Sequence, residues 1–293
     1  MKNLFTAIFI LFISGICSGQ NTILWKVSDT ISGKNSFLVG TFHQFGNSFV
    51  DSIPELKDAL LESELAVFES IDDFEKTRKM VNSRITSNEI EKKLKRKDFE
   101  KLKQISKNWK VDLYKLRPIE LRWKLQQEFQ KIKCKTVLPT DKWNHFDNYL
   151  THIAKENEIE LVGLENDSLQ LSLIEKEYGF PEWKKEKKII SFWIEKLTTE
   201  ELAKGDCSFT NKYRVFDLDY QLTENCPTDI LIKQRNEDWM KIIPGLLSNK
   251  KCFVAVGYAH LQNKCGLIEK LRAGGFLVEP INIKPAGNKV YNY

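Results

Sequence analysis

Several things this sequence lacks narrow it before any motif is read. Past its first twenty residues, no stretch approaches the roughly 18 uninterrupted apolar residues that a spanning helix needs, so no membrane span is expected. No block of like charge stands out either. The 45 Lys and Arg are interleaved with 40 Asp and Glu, which excludes the basic footprint of nucleic-acid binding. No low-complexity linker marks a domain boundary, and none of the cysteine spacings resembles a zinc site. Histidine is scarce, with four in 293 residues.

What is present begins with MKNLFTAIFILFISGICSGQ. One lysine, an apolar stretch from Leu4 to Ile16 and small residues at Cys17, Ser18 and Gly19 form a secretory signal peptide. Cleavage is expected after Gly19 or Gln20. A lipoprotein signal would use Cys17, but a bulky Ile16 before it fits that processing poorly. Residues 21–293 then form the exported chain, periplasmic or secreted, and its charge falls from +5 to +4 when Lys2 leaves. About 270 residues suffice for one large domain.

Five cysteines remain: Cys134, Cys207, Cys226, Cys252 and Cys265. Disulfides persist outside the cytoplasm, and an odd count leaves at least one free thiol. Cys207 with Cys226, closing a short polar segment, is the favoured pair. Cys252 with Cys265 is a second possibility.

Strand-like and helix-like patterns alternate. ILWKVSD and SFLVGTFH form a strand pair joined through Ser32–Asn35. Ser52 and Pro54 open a helix, and LAVFES (65–70) is a strand. Phe146, Tyr149, Leu150 and Ile153 mark a helix face before the strand IELVGLEN (159–166). CFVAVG is another strand, 261–271 a helix and GGFLVEPI a last strand. The alternation predicts an α/β fold with a mainly parallel central sheet. Residues 72–133 and 181–247, charged and helical in pattern, read as helical insertions.

In open α/β sheets, ligands sit at the carboxyl ends of the strands. Four residues fall at such ends: His43 after FLVG, Glu69 after LAVF, Glu165 after LVGL and His260 after FVAVG. Two histidines and two carboxylates suit a divalent metal or a general acid/base pair. One histidine after a strand is usually a loop residue, but two of four in the same Gly-x-x-His setting point to a shared site.

His145 and His152 are read as lying outside it. On one helix they would be separated by roughly 10.5 Å along the axis, too far to ligate one ion. Asp147 reads as a helix cap and Gly205-Asp206 as a turn. In KQRNEDWMKII, Asn236 shares an apolar face with Ile232, Trp239 and Ile243. Its amide either forms an interhelical hydrogen bond or, with Arg235, points into the site to stabilise negative charge.

LWKVSD…FLVGTFH, LAVFES, DNYLTHIAKENEIELVGLEN with nearby Gln170, QRNEDWMKII and FVAVGYAHLQNKCGLIEKLRAGGFLVEPI together resemble the TraB/GumN family. That family is related to the Tiki proteins and, more remotely, to erythromycin esterases and ChaN-like haem-binding proteins. The resemblance covers about Leu24 to Ile281. It implies a sheet built from two halves with the paired Gly-x-x-His motifs at its centre. Tiki relatives look like metal-dependent proteases, so it also implies His43, Glu69 and His260 as metal ligands. LQNKCG after the second motif departs from the usual glycine-acid step, which affects the loop over the site.

The expected function is an exported metal-dependent hydrolase, plausibly a peptidase. His43, Glu69 and His260 would hold manganese, cobalt or zinc and leave room for water. Glu165 would act as general base or a further ligand, and Arg235 and Asn236 would face the oxyanion of a peptide or small-molecule substrate. Two alternatives stay open. One is a metal-free esterase with a histidine base oriented by a glutamate. The other is a haem-binding envelope protein using His43 or His260 as axial ligand. Oligomeric state is not legible.

Overall fold

The computed structural model describes residues 21–72, 74–179, 183–226 and 229–284. The expected signal segment lies outside the described residues. Strands β1 (Leu24–Asp29) and β2 (Asn35–Thr41) pair antiparallel as a hairpin. The Asp29 carboxylate shapes the turn by accepting from the Ile31 and Ser32 amides and the Ser32 hydroxyl.

Four more strands follow: β3 (Leu65–Phe68), β4 (Glu160–Gly163), β5 (Cys252–Gly257) and β6 (Phe276–Pro280). They join one sheet in the order β4-β3-β5-β2-β1-β6. The run β4, β3, β5, β2 is parallel, while β1 runs against both its neighbours. This is the mainly parallel α/β sheet that the sequence pattern predicts. Every residue of β3, and every residue of β5 up to Gly257, is buried. Strands covered on both faces carry continuous apolar runs rather than alternation, as LAVF and CFVAV do.

The helix Pro54–Leu61 starts with proline, whose missing amide proton costs nothing in a first turn. It buries Leu56, Ala59 and Leu60, and packs on the helix Phe146–Glu156, which lies against β3 and β4. The helical insertions build a second core away from the sheet. There the helices Pro118–Ile132 and Trp183–Thr198 pack together, with Leu102, Leu121, Leu125, Ile190 and Ile194 fully buried.

Two expectations need correction. The helix expected over 261–271 begins only at Leu267. Tyr258–Leu261 form a single tight turn, and Asn263 takes the left-handed backbone (φ 65°) that lets its amide reach the Tyr220 carbonyl. The disulfides also differ from both suggested pairs. They join Cys134 to Cys207 and Cys226 to Cys265, with Cα atoms 5.4 and 6.2 Å apart. Cys207 is drawn to the end of the helix Pro118–Ile132, where Lys133 reaches the Thr199 carbonyl and Arg214 reaches that of Cys134. Among the described residues Cys252 is the free thiol, fully buried inside β5 with its pKa pushed up to about 11 by burial.

Candidate active site at the carboxyl edge of the sheet

Because β2, β3, β4 and β5 run in parallel, their carboxyl ends share one edge. His43, Glu69, Glu165 and His260 all lie within three residues of those ends. A side chain at Gly257 shows how closely three of them meet. Its Cβ would lie 3.1 Å from Glu69 Oε1, 3.6 Å from His43 Nε2 and 3.8 Å from His260 Cδ2. The Gly257 amide donates to that same Glu69 oxygen at 2.6 Å. Gly40 admits a different neighbour, since its Cβ would lie 3.3 Å from the Tyr258 Cα. One motif glycine makes room for a carboxylate, and the other lets the second motif dock on the first.

His260 is buried and held at both nitrogens. Its Nδ1 pairs with Asn236 Oδ1 at 2.7 Å, and its Nε2 with Arg235 Nη1 at 2.9 Å. A guanidinium only donates, so Nε2 accepts, Nδ1 carries the proton, and the ring is neutral. Burial, relieved only in part by Glu69, lowers its pKa to about 3. The Trp239 ring packs on it at 4.4 Å. The adjacent residues Arg235 and Asn236 reach one imidazole from two sides where the π-helical turn Asp229–Gln234 passes into the helix Arg235–Trp239. Such turns are often found at functional sites.

The Arg235 guanidinium uses all five of its N–H groups. Nη2 donates to Glu69 Oε2 at 2.6 Å and Glu165 Oε1 at 2.5 Å, and Nε to Glu165 Oε2 at 3.1 Å. Nη1 serves His260 and the Leu231 carbonyl. Asn236 is equally committed, its Nδ2 donating to the carbonyls of His260 and Cys265. The expectation that Arg235 and Asn236 face a substrate oxyanion is therefore corrected: their donors already serve His260 and the two glutamates. Burial opposes ionisation of Glu69, but the positive groups around it, Arg235 and His43 among them, hold it well below the usual carboxylate range.

His43 is built differently. Its Nδ1 meets Asp147 Oδ2 at 2.5 Å, and Thr41 Oγ1 donates to Asp147 Oδ1 at 2.7 Å. Burial lowers the His43 pKa, but the Asp147 charge and hydrogen bond outweigh it and raise it to about 9. Its side chain keeps 39% exposure.

His145 was expected outside the site and is in it, its ring stacked on that of His43 at 5.1 Å. The helical spacing to His152 does not hold because His145 is the cap before the helix, in extended conformation (φ −151°, ψ 124°). The amide of Phe146 donates to the His43 carbonyl, which draws this turn against the end of β2. Burial lowers the His145 pKa to about 3. His152 stacks on Trp143 instead. Asp147, read as a cap, is the partner of His43, and its place beside a histidine in HFD was the available signal.

A cavity of about 240 Å³ opens beside this half of the site, with His43, Glu69, His145, Asp147, Gln170 and Leu171 among its walls. Among the described residues, one trio brings ligand-type atoms within 4.8 Å of one another: His43, His145 and Asp147.

No curated protein and no solved structure matches the chain. The model of the TraB/PrgY/gumN family matches residues 23–280, which span the sheet and every residue of the site. The chain belongs to the TraB/PrgY/gumN family.

Proposed function

We propose that this chain is an exported hydrolase that cleaves an acyl bond, in a peptide or a small ester, with water activated at His43. One observation carries this reading. His43 is fixed through Nδ1 by a buried carboxylate, while its Nε2 faces Glu69 and the ground above Gly257 beside the cavity. A carboxylate on one ring nitrogen sets the tautomer and leaves the other to exchange a proton with water. Glu69 keeps spare lone pairs on both oxygens and orients that water. Arg235, His260, Asn236 and Glu165 form a rigid charged frame that holds Glu69 in place. The two disulfides support export, since such bonds persist outside the reducing cytoplasm.

A base with a pKa raised to about 9 is mostly protonated at neutral pH. In this reading, turnover rises with pH toward 9. The family resemblance also implies a divalent metal, manganese, cobalt or zinc, which when bound would supply a water of lowered pKa. The deciding assay uses chromogenic esters and amino-acid anilides. His43→Ala should lower kcat by about 10²–10⁴-fold with its melting transition retained. Full turnover in that variant would sink the reading.

A further inference from the structure

His43, Glu69 and His260 meet above Gly257, and a second group of ligand-type side chains, His43, His145 and Asp147, comes together on the other side of His43. Against His43, Glu69 and His260 as a metal's ligands stands Arg235. The single lone pair of His260 Nε2 already accepts from its guanidinium, and the same cation is shared by Glu69 and Glu165. A second positive ion there would be repelled by the guanidinium and would meet a nitrogen already engaged.

We propose that a divalent transition metal, zinc or cobalt, binds between His43, His145 and Asp147, and that Arg235 occupies the place between Glu69 and His260 where a metal was expected. This rests on the hydrolase reading and alters one part of it: with an ion on Nδ1, His43 would be a ligand with its proton on Nε2, and the lowered pKa of the water would come from the ion. Asp147 Oδ2 lies 2.5 Å from His43 Nδ1 and 3.7 Å from His145 Nδ1, so one carboxylate oxygen faces two ring nitrogens. Ligand bonds of about 2.0–2.2 Å place neighbouring donors roughly 3.0–3.5 Å apart. A cation replacing the proton between His43 and Asp147 shifts the carboxylate oxygen relative to each nitrogen by less than about 1 Å, and the two stacked rings turn so that both lone pairs meet the ion. Two imidazoles and a carboxylate suit zinc or cobalt better than calcium or magnesium, which favour oxygen. Thr41 holds the other Asp147 oxygen, the kind of supporting hydrogen bond that fixes a ligating carboxylate. All three side chains line the cavity, which leaves an open side for water or substrate.

The test is calorimetric titration of the folded, disulfide-bonded mature chain with Zn²⁺ and with Co²⁺, alongside the visible spectrum of the cobalt form. One site per chain is expected. Asp147→Asn and His145→Ala should each weaken binding by about 10–100-fold or more, and His145→Asn repeats the test should the alanine variant fold poorly. Glu165→Gln, neither a ligand nor the partner of one, should bind within about twofold of the parent, and Glu69→Gln, which faces His43 Nε2, should weaken binding less than Asp147→Asn does. The proposal is overturned by a Glu69→Gln loss as deep as that of Asp147→Asn with His145→Ala unaffected. Absence of binding to the parent up to millimolar metal overturns it as well. The two readings fail separately. Turnover lost in His43→Ala without any metal binding sinks the metal site alone. Binding at the trio without hydrolysis of any ester or anilide sinks the hydrolase alone.

Discussion

His43 and His260 occupy the same four-residue motif at the ends of adjacent strands, yet the fold drives them to opposite charge states. His43 is raised to about 9 and His260 is lowered to about 3. The strand and the glycine give each ring its position, and a partner from a distant segment decides its chemistry. For His43 that partner is an anion, Asp147, 104 residues away. For His260 it is a cation, Arg235, 25 residues away. One ring is left able to exchange a proton beside a cavity, and the other becomes a fixed strut.

Removing the anion should erase the difference most strongly. Asp147→Asn keeps the shape of the partner but not its charge, and it should lower kcat by up to about 10⁴-fold. The His43 pKa, followed by NMR titration, should fall back toward its ordinary value. A His43 that still titrates near 9 in this variant would show that Asp147 is not the cause.

Removing the cation attacks the other side. Arg235→Met leaves two buried glutamates without their counter-charge, and breaking a buried pair this way costs about 3–5 kcal/mol. Chemical denaturation measures this, and a loss below about 1 kcal/mol, the range of surface pairs, would contradict the frame.

A smaller change tests how closely the two halves meet. Gly257→Ala pushes a methyl group to 3.1 Å from Glu69 Oε1 and toward His43 Nε2. Turnover should drop about tenfold with little change in melting, since misplacement of even about 1 Å is costly to catalysis.

A further test is the pH profile of stability. His43, raised in the fold, contributes stability that is full below its unfolded value of 6.5 and is lost as pH rises through about 9. His260 and His145, both lowered, contribute stability that is present above 6.5 and is lost as pH falls toward 3. Their combined contribution to the melting temperature should therefore be greatest near pH 6.5. A histidine contribution that keeps climbing to pH 9 would contradict the assignment for His43.

Much of this was legible in the sequence, for reasons that can be named. Apolar runs such as LAVF and CFVAV report burial on both faces, and residues just after such strands must reach the sheet edge. His43, Glu69, Glu165 and His260 were found in this way. The partners of His43 were not, because a cap residue obeys no helical spacing. His145 therefore looked like one end of a helix face shared with His152. Asn236 stood out as a polar residue on an apolar stripe, but periodicity cannot say which atom its amide will meet. The cysteine pairs were missed because they depend on how the insertions pack against the sheet, which no local pattern encodes.

The strand order carries a consequence for the order of assembly. β5 sits between β3 and β2, although it follows β3 by more than 180 residues, and Gly257 meets a Glu69 that lies 188 residues earlier. During synthesis the two earlier strands cannot close on each other without filling the slot reserved for a later one. Long-range pairing of this kind is slow and leaves edges open meanwhile. A chain interrupted between Arg235 and Cys252 would carry His43, Glu69, Asp147 and Arg235 and still lack the strand that brings them together.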